Sequence, residues 1–252
     1  MKSAPAALVA LSVVACTGRG EVLREGNDTP VVLQQTEARL STGDEHACAV
    51  TSSALRCWGK SAEGELGLPL DGSHGPRQID IGAPVRAPAA GALHTCALDT
   101  EGRVFCFGSN DSGQLGTGAP LGSDDPAPGL VTLPAPAIDL RTLFSHSCAV
   151  LSDASLWCWG ENEEGQLGLG DTHPGADHPA PIRVGGANDW VAVSTGQGHS
   201  CGIRAPGNLY CWGRNTQFQI GQGSNDPQQY RAPQRVGTDT DWVEVSAGQN
   251  NS

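Results

Sequence analysis

One pattern governs the whole chain. Residues 146–170 read HSCAVLSDASLWCWGENEEGQLGLG, and the same residues return at the same offsets in 46–68, 94–118 and 199–223. Each copy has a cysteine two places after a histidine (Cys48, Cys96, Cys148, Cys201). A second cysteine follows (Cys57, Cys106, Cys158, Cys211), then an aromatic–glycine pair: Trp58-Gly59, Phe107-Gly108, Trp159-Gly160 and Trp212-Gly213. An acid or amide, an aliphatic and a glycine close the copy, as in Gln166-Leu167-Gly168. A repeat of about 50 residues marks units that cannot bury their apolar faces alone and must stack on one another.

Within a copy the two cysteines close a hairpin. Pairing Cys201 with Cys211 also pairs Gly202 with Tyr210, Ile203 with Leu209 and Arg204 with Asn208, leaving the loop Ala205-Pro206-Gly207. Its last glycine suits the left-handed residue of a three-residue hairpin loop, as does Gly102 in Thr100-Glu101-Gly102. The third copy turns at Ser152-Asp153-Ala154 without glycine, and the first, one residue shorter, at Ser52-Ser53. Alternation sends Cys201, Ile203, Leu209 and Cys211 to one face and Gly202, Tyr210 and Trp212 to the other. Both faces are apolar or small, so each small sheet needs cover on both sides. The 34 glycines and 17 prolines favour short strands over helices. Radially stacked sheets meet all of this, and the fold expected is all-β, a β-propeller of four-stranded antiparallel blades.

The flanking strands are expected at 190–193 and around 234–236, with surface loops at 118–129 and 170–181. Residues 241–248 match 189–196 and open an incomplete fifth repeat, 241–252, in which Asn251-Ser252 stand where His199-Ser200 stand in the fourth. As written, the chain is expected to form an open arc of four blades with exposed edges.

Directly opposed cysteines in antiparallel strands lie within disulfide reach, which assigns Cys48 to Cys57, Cys96 to Cys106, Cys148 to Cys158 and Cys201 to Cys211. Metal binding by a histidine and cysteine two apart, such as His199 and Cys201, is the alternative. The histidines in register, His46, His94, His146 and His199, are read as a repeated structural hydrogen bond rather than a ligand ring. His74, His173 and His178 fall in loops, where His173 and His178 with Asp171 and Asp177 form the nearest approach to a metal group. Asn110-Asp111-Ser112-Gly113 and Asn162-Glu163-Glu164-Gly165 lack calcium-loop spacing and are read as turns. Gly59-Lys60-Ser61 has Ala54 where a phosphate loop needs glycine, and no nucleophile elbow or placed acid–base pair is found. No cofactor or metal is therefore assigned. A net charge of −12 argues against a nucleic-acid partner.

The N-terminus sets an address. Lys2, the apolar run from Ala6 to Val14, and Ala15 before Cys16 resemble a bacterial lipoprotein signal, too short to span a bilayer. On that reading residues 1–15 are removed, Cys16 carries the lipid, and 16–30 form a polar tether before strands begin near Val31. Thr17 fits sorting to the outer membrane or cell surface.

The order histidine, Cys-Ala-aliphatic, turn, then Cys-Trp-Gly-x-Asn-x-x-Gly-Gln-Leu-Gly (158–168) resembles the regulator of chromosome condensation repeat, in the double-cysteine form of secreted bacterial proteins. The resemblance covers roughly 31–252 and implies a propeller that the family typically closes with seven blades. It also implies interaction rather than catalysis, since the family includes a guanine-nucleotide exchange factor on chromatin and a secreted β-lactamase inhibitor. The expected role is that of a non-enzymatic, lipid-anchored envelope protein engaging an unknown protein or envelope polysaccharide. A polysaccharide-acting lyase or hydrolase, or a structural spacer, stands as the alternative.

Overall fold

A computed structural model describes residues 39–67, 75–170, 176–223 and 229–252. The expectations for residues 1–30 and for a strand onset at Val31 lie outside these residues, as do His74, His173 and Asp171. Ala38–Ser252 is one compact unit. Its described residues hold sixteen strands and no helix.

The strands form four sheets, each a simple meander. The first is β1 (Arg39–Thr42), β2 (His46–Thr51), β3 (Ala54–Gly59) and β4 (Arg77–Ile79). The second is β5 (Val85–Ala90), β6 (His94–Asp99), β7 (Val104–Gly108) and β8 (Asp125–Val131). The third is β9 (Ala137–Leu143), β10 (His146–Leu151), β11 (Leu156–Gly160) and β12 (His178–Arg183). The fourth is β13 (Trp190–Thr195), β14 (His199–Arg204), β15 (Asn208–Gly213) and β16 (Tyr230–Arg235). Four antiparallel blades result, as the two-faced hairpin pattern requires.

The central hairpins carry the register read from the cysteines, including Ile203 opposite Leu209 and Arg204 opposite Asn208. Disulfides join Cys48–Cys57, Cys96–Cys106, Cys148–Cys158 and Cys201–Cys211, with Cα atoms 4.0–4.1 Å apart. With the cysteines paired to each other, the alternative of a His199–Cys201 metal pair falls away.

The turns divide. Gly102 takes the left-handed conformation at φ 84°, and Ala154 takes it at φ 59° without being glycine. Ser52 and Ser53 both have positive φ, the requirement of a two-residue I′ turn. Gly207, at φ 156°, is far more extended than the left-handed residue expected there, and a cis Ala205–Pro206 bond precedes it.

The expected loops at 118–129 and 170–181 are shorter than composition suggested, because β8 and β12 begin inside them. Their prolines (Pro126, Pro128, Pro179, Pro181) read as loop, yet they sit on outermost strands. There a missing N–H costs no ladder bond and blunts the edge against further pairing.

The core lies between blades rather than within them. Behind the first blade Cys48, Val50, Leu55, Cys57 and Leu66 pack on Ala97 and Phe107 of the second. Behind the second, Cys96, Leu98, Cys106 and Leu115 meet Ala149 and Trp159. Behind the third, Cys148, Leu156, Cys158 and Leu167 meet Trp190 and Trp212. The fifth repeat contributes its innermost segment, 241–248, without a strand ladder: the amide of Ala247 donates to Ser194 Oγ (2.8 Å) and that of Gln197 to the carbonyl of Gly248 (3.2 Å). Val245 packs on the fourth-blade core.

Candidate functional site

Two regions carry the polar chemistry of the molecule: the joints between blades and the loops at one end of them. At each joint the histidine that opens the second strand faces the hydroxyl that follows the next blade's histidine. His46 Nε2 lies 2.8 Å from Thr95 Oγ1, His94 Nε2 3.1 Å from Ser147 Oγ, and His146 Nε2 2.8 Å from Ser200 Oγ. Each hydroxyl in turn donates to the carbonyl of the earlier blade's Glu or Gln: Thr95 to Glu65 (2.8 Å), Ser147 to Gln114 (3.5 Å), Ser200 to Gln166 (2.9 Å). A hydroxyl has one proton. With that proton given to a carbonyl, the imidazole must be the donor, which fixes the neutral tautomer protonated on Nε2. Ser252 Oγ likewise donates to the Gln219 carbonyl, holding the start of the fifth repeat.

The aromatic before each second-cysteine glycine enters the same joint. Trp159 and Trp212 are fully buried and donate through Nε1 to the Gln114 and Gln166 carbonyls at 3.0 and 2.8 Å. They fit because the glycine two residues further on has no side chain. A Cβ on Gly116 (φ +68°) would stand 2.5 Å from Trp159, and one on Gly168 (φ +71°) 2.7 Å from Trp212. His46, His94 and His146 recur, then, for the structural hydrogen bond expected of them, whereas His199 Nε2 has no hydrogen-bond partner among the described residues. The sequence reading missed the hydroxyl partner, although Thr95, Ser147 and Ser200 stand in register directly after a histidine.

Burial keeps these imidazoles neutral. It holds His94 and His146 down at about 3, helped by the neighbouring imidazoles, and His199 at about 4 against the Asn251 carbonyl, which favours the cation. His46 is lowered by burial too, with Glu65 and Asp44 pulling the other way.

The β3–β4-type loops are built to a second recurring scheme. Asn110 Oδ1 accepts from Leu115 N (3.2 Å), Asn162 Oδ1 from Leu167 N (3.1 Å) and Asn215 Oδ1 from Ile220 N (3.1 Å). Gln114, Gln166 and Gln219 each accept from the amide two residues back, at 2.8–2.9 Å. These are closed turns, as their spacing indicated. Asp177, once grouped with His178 as a metal candidate, accepts from Asn162 N at 3.0 Å. Among the described residues no three His, Cys, Asp or Glu side chains form a group able to hold a metal.

The two ends of the blades differ in charge. Meander order puts the described connections 43–45, 60–67, 91–93, 109–124, 144–145, 161–170 and 196–198 at one end, with the hairpin turns at the other. At the hairpin end Asp99 pairs with Arg103 (2.6 Å) and Asp189 with Arg204 (2.6 Å), while Asp80, Asp239 and Asp241 stand exposed. The loop end exposes Glu63, Asp111 and Glu163, with Glu161 half-buried beside Asp177, Glu163 and Glu164. Burial, then those three carboxylates, push Glu161 above the usual carboxylate range.

Stacked, disulfide-closed, four-stranded blades with polar joints define the class: a repeat β-propeller whose framework is constant and whose loops vary. Models of the regulator of chromosome condensation (RCC1) repeat match residues 101–150, 153–203 and 206–252, and a second model of that repeat matches 87–114 and 190–219. Those matches cover more than half of the chain, and it belongs to the regulator of chromosome condensation repeat family. The ultraviolet-B receptor UVR8 of Arabidopsis thaliana is 30% identical over 216 residues, covering 83% of this chain and 48% of that protein. The human regulator of chromosome condensation is 29% identical over 147 residues, 58% of this chain and 35% of its own. The chain thus spans half or less of the length of these relatives. Among solved structures, Prp20p of Saccharomyces cerevisiae, described with its binding to Gsp1p and histones, superposes with a TM-score of 0.74 at 22% identity, over 88% of this chain and 57% of Prp20p. Human WBSCR16 gives 0.59 at 18% identity, over 84% and 69%. At such identities these two speak to the fold alone.

Proposed function

We propose that this protein is a non-enzymatic interaction module, exported and tethered to the cell envelope through a lipid on Cys16, which holds its partner, a protein, at the loop end of the blades. The observation that carries this is the division of labour between the blade ends. The joints repeat one plan, whereas the loop end varies from blade to blade and carries more carboxylates than cations, with Lys60 paired to Glu45 and Arg214 near Glu161. Variable loops on a rigid frame are where recognition resides. The excess of acids on that end favours a partner with a basic surface. The family's solved members support binding as the mode of action, Prp20p being described with protein partners.

Site-specific photocrosslinking in intact cells tests the reading. A crosslinker at Glu163 is expected to give a discrete protein adduct and one at Glu101, on the opposite end, none; adducts from both positions alike, or only from Glu101, would overturn it. For the anchor, Cys16→Ser is expected to move the protein from the membrane to the soluble fraction with its melting temperature unchanged, because 16–30 separate lipid from blades. A variant still pelleting with membranes would refute the lipid.

A further inference from the structure

Covalent closure in this molecule stops at the edge of each blade. The disulfides join β2 to β3, β6 to β7, β10 to β11 and β14 to β15, all within single sheets. Between blades there are apolar packing, a few backbone bonds such as Ala92 N to the Phe144 carbonyl (2.9 Å) and Gly170 N to the Arg231 carbonyl (2.7 Å), and the imidazole–hydroxyl–carbonyl chains.

We infer that the joints are acid-sensitive hinges: protonation of the joint histidines parts neighbouring blades while each blade's hairpin stays closed by its disulfide. The geometry makes the second proton unwelcome in the closed joint. Nε2 already carries the proton shared with the next blade's hydroxyl, so an added proton must sit on Nδ1. In His46 and His146 that atom is buried without a partner, where an N–H on a cation is costly, and in His94 the Phe144 carbonyl facing the ring only partly compensates it. The rings of His94 and His199 sit close over the backbone, where a Cβ on Gly91 or Gly196 would meet Cε1 at 2.2 Å.

The surroundings of each ring rank the joints. His94 faces His46 and the Phe144 carbonyl, and His146 faces His94 and His199, with no carboxylate against either. His46 faces Glu65 and Asp44, which partly compensate a cation. His199 faces Arg214 and the Asn251 carbonyl. The joints of His94 and His146 are therefore the sensitive ones. Folded values below the ordinary 6.5 mean that the parted joint binds more protons than the closed one. The stabilisation is complete above about 6.5 and is lost as pH falls from there toward about 3, near tenfold per pH unit for each imidazole released to solvent.

Native-state hydrogen exchange of the oxidised chain at pH 7 and pH 5, corrected for intrinsic rates, tests this above the carboxylate range. The joint-spanning amides of Ala92 and Gly170 are expected to open on the order of 10- to 30-fold more often at pH 5, while amides within the hairpins, such as Val150, change little. His94→Gln retains an amide donor without a titrating group, as Asn251 does at the same repeat position, and is expected to abolish the change at Ala92 but not at Gly170. Equal acid response of joint and hairpin amides, or an Ala92 response unaltered in His94→Gln, would overturn the hinge. Should that variant fail to fold, the wild-type contrast between joint and hairpin amides decides alone.

Discussion

The first and third joints use one plan with different parts. In the third, the Gln166 carbonyl receives both Ser200 Oγ and the Trp212 indole, and Asn162 holds the loop through Leu167 N. In the first, Phe107 takes the indole's place, leaving the Glu65 carbonyl with Thr95 Oγ1 among the two side-chain donors used elsewhere, and Ser61 replaces the loop asparagine at 3.3 Å from Leu66 N. The first blade's counterpart aromatic, Trp58, is only half-buried, whereas Phe107, Trp159 and Trp212 are fully so. The lesson is a hierarchy: apolar volume and the imidazole–hydroxyl–carbonyl chain are retained at each of the three joints between complete blades, and the indole donor is an addition that one of them lacks.

Breaking what both joints share has the largest effect. Full reduction should remove about 2.5–3 kcal/mol per disulfide in the loop-entropy picture, lowering the thermal midpoint steeply, and a melting curve indifferent to reductant would contradict the stapled-blade account. Next comes the aromatic itself: Trp212→Ala should cost about 3–5 kcal/mol in urea unfolding, and Phe107→Ala a similar amount despite its weaker joint. The glycine beneath the aromatic offers a sharper contrast. Gly116→Ala meets Trp159 at 2.5 Å, whereas Gly118→Ala, also at positive φ (+81°), has nothing within 4 Å. The first should cost about 2–4 kcal/mol and the second about 1, and equal losses would show that backbone conformation, not the indole, dictates the glycine. Smaller again is the indole's donor. Trp212→Phe should lose about 1–2 kcal/mol, while Phe107→Trp, with the Glu65 carbonyl available, should be neutral or gain up to about 1. Smallest is the first turn, where Ser53→Gly relieves a positive φ of 61° and should raise stability by about 0.5 kcal/mol in the same assay.

Much of this fold was legible because hairpins are local. Cys201 and Cys211 lie close enough in sequence for alternation and turn length to fix their register, and the two-faced apolar pattern demanded stacking. What escaped the reading depended on neighbouring sheets. Pro126 and Pro179 signal loop until an outermost edge is known to receive them. The expected glycine turn at Gly207 failed because alternation sets the number of loop residues and not their dihedrals. The loop end's charge became visible only when meander order gathered Glu63, Asp111 and Glu163 at one end.

The sequence alone determined the blade: four strands, a central disulfide-closed hairpin, and apolar faces on both sides, all set by residues within one repeat. The tertiary structure decided the joint. Which carbonyl takes the Ser200 proton, which nitrogen of His146 donates, and why Gly168 has no room for a side chain all depend on residues about one repeat apart. A recurring histidine reveals that it has a task, but its proton is placed only when the next blade brings a hydroxyl whose single hydrogen is already committed.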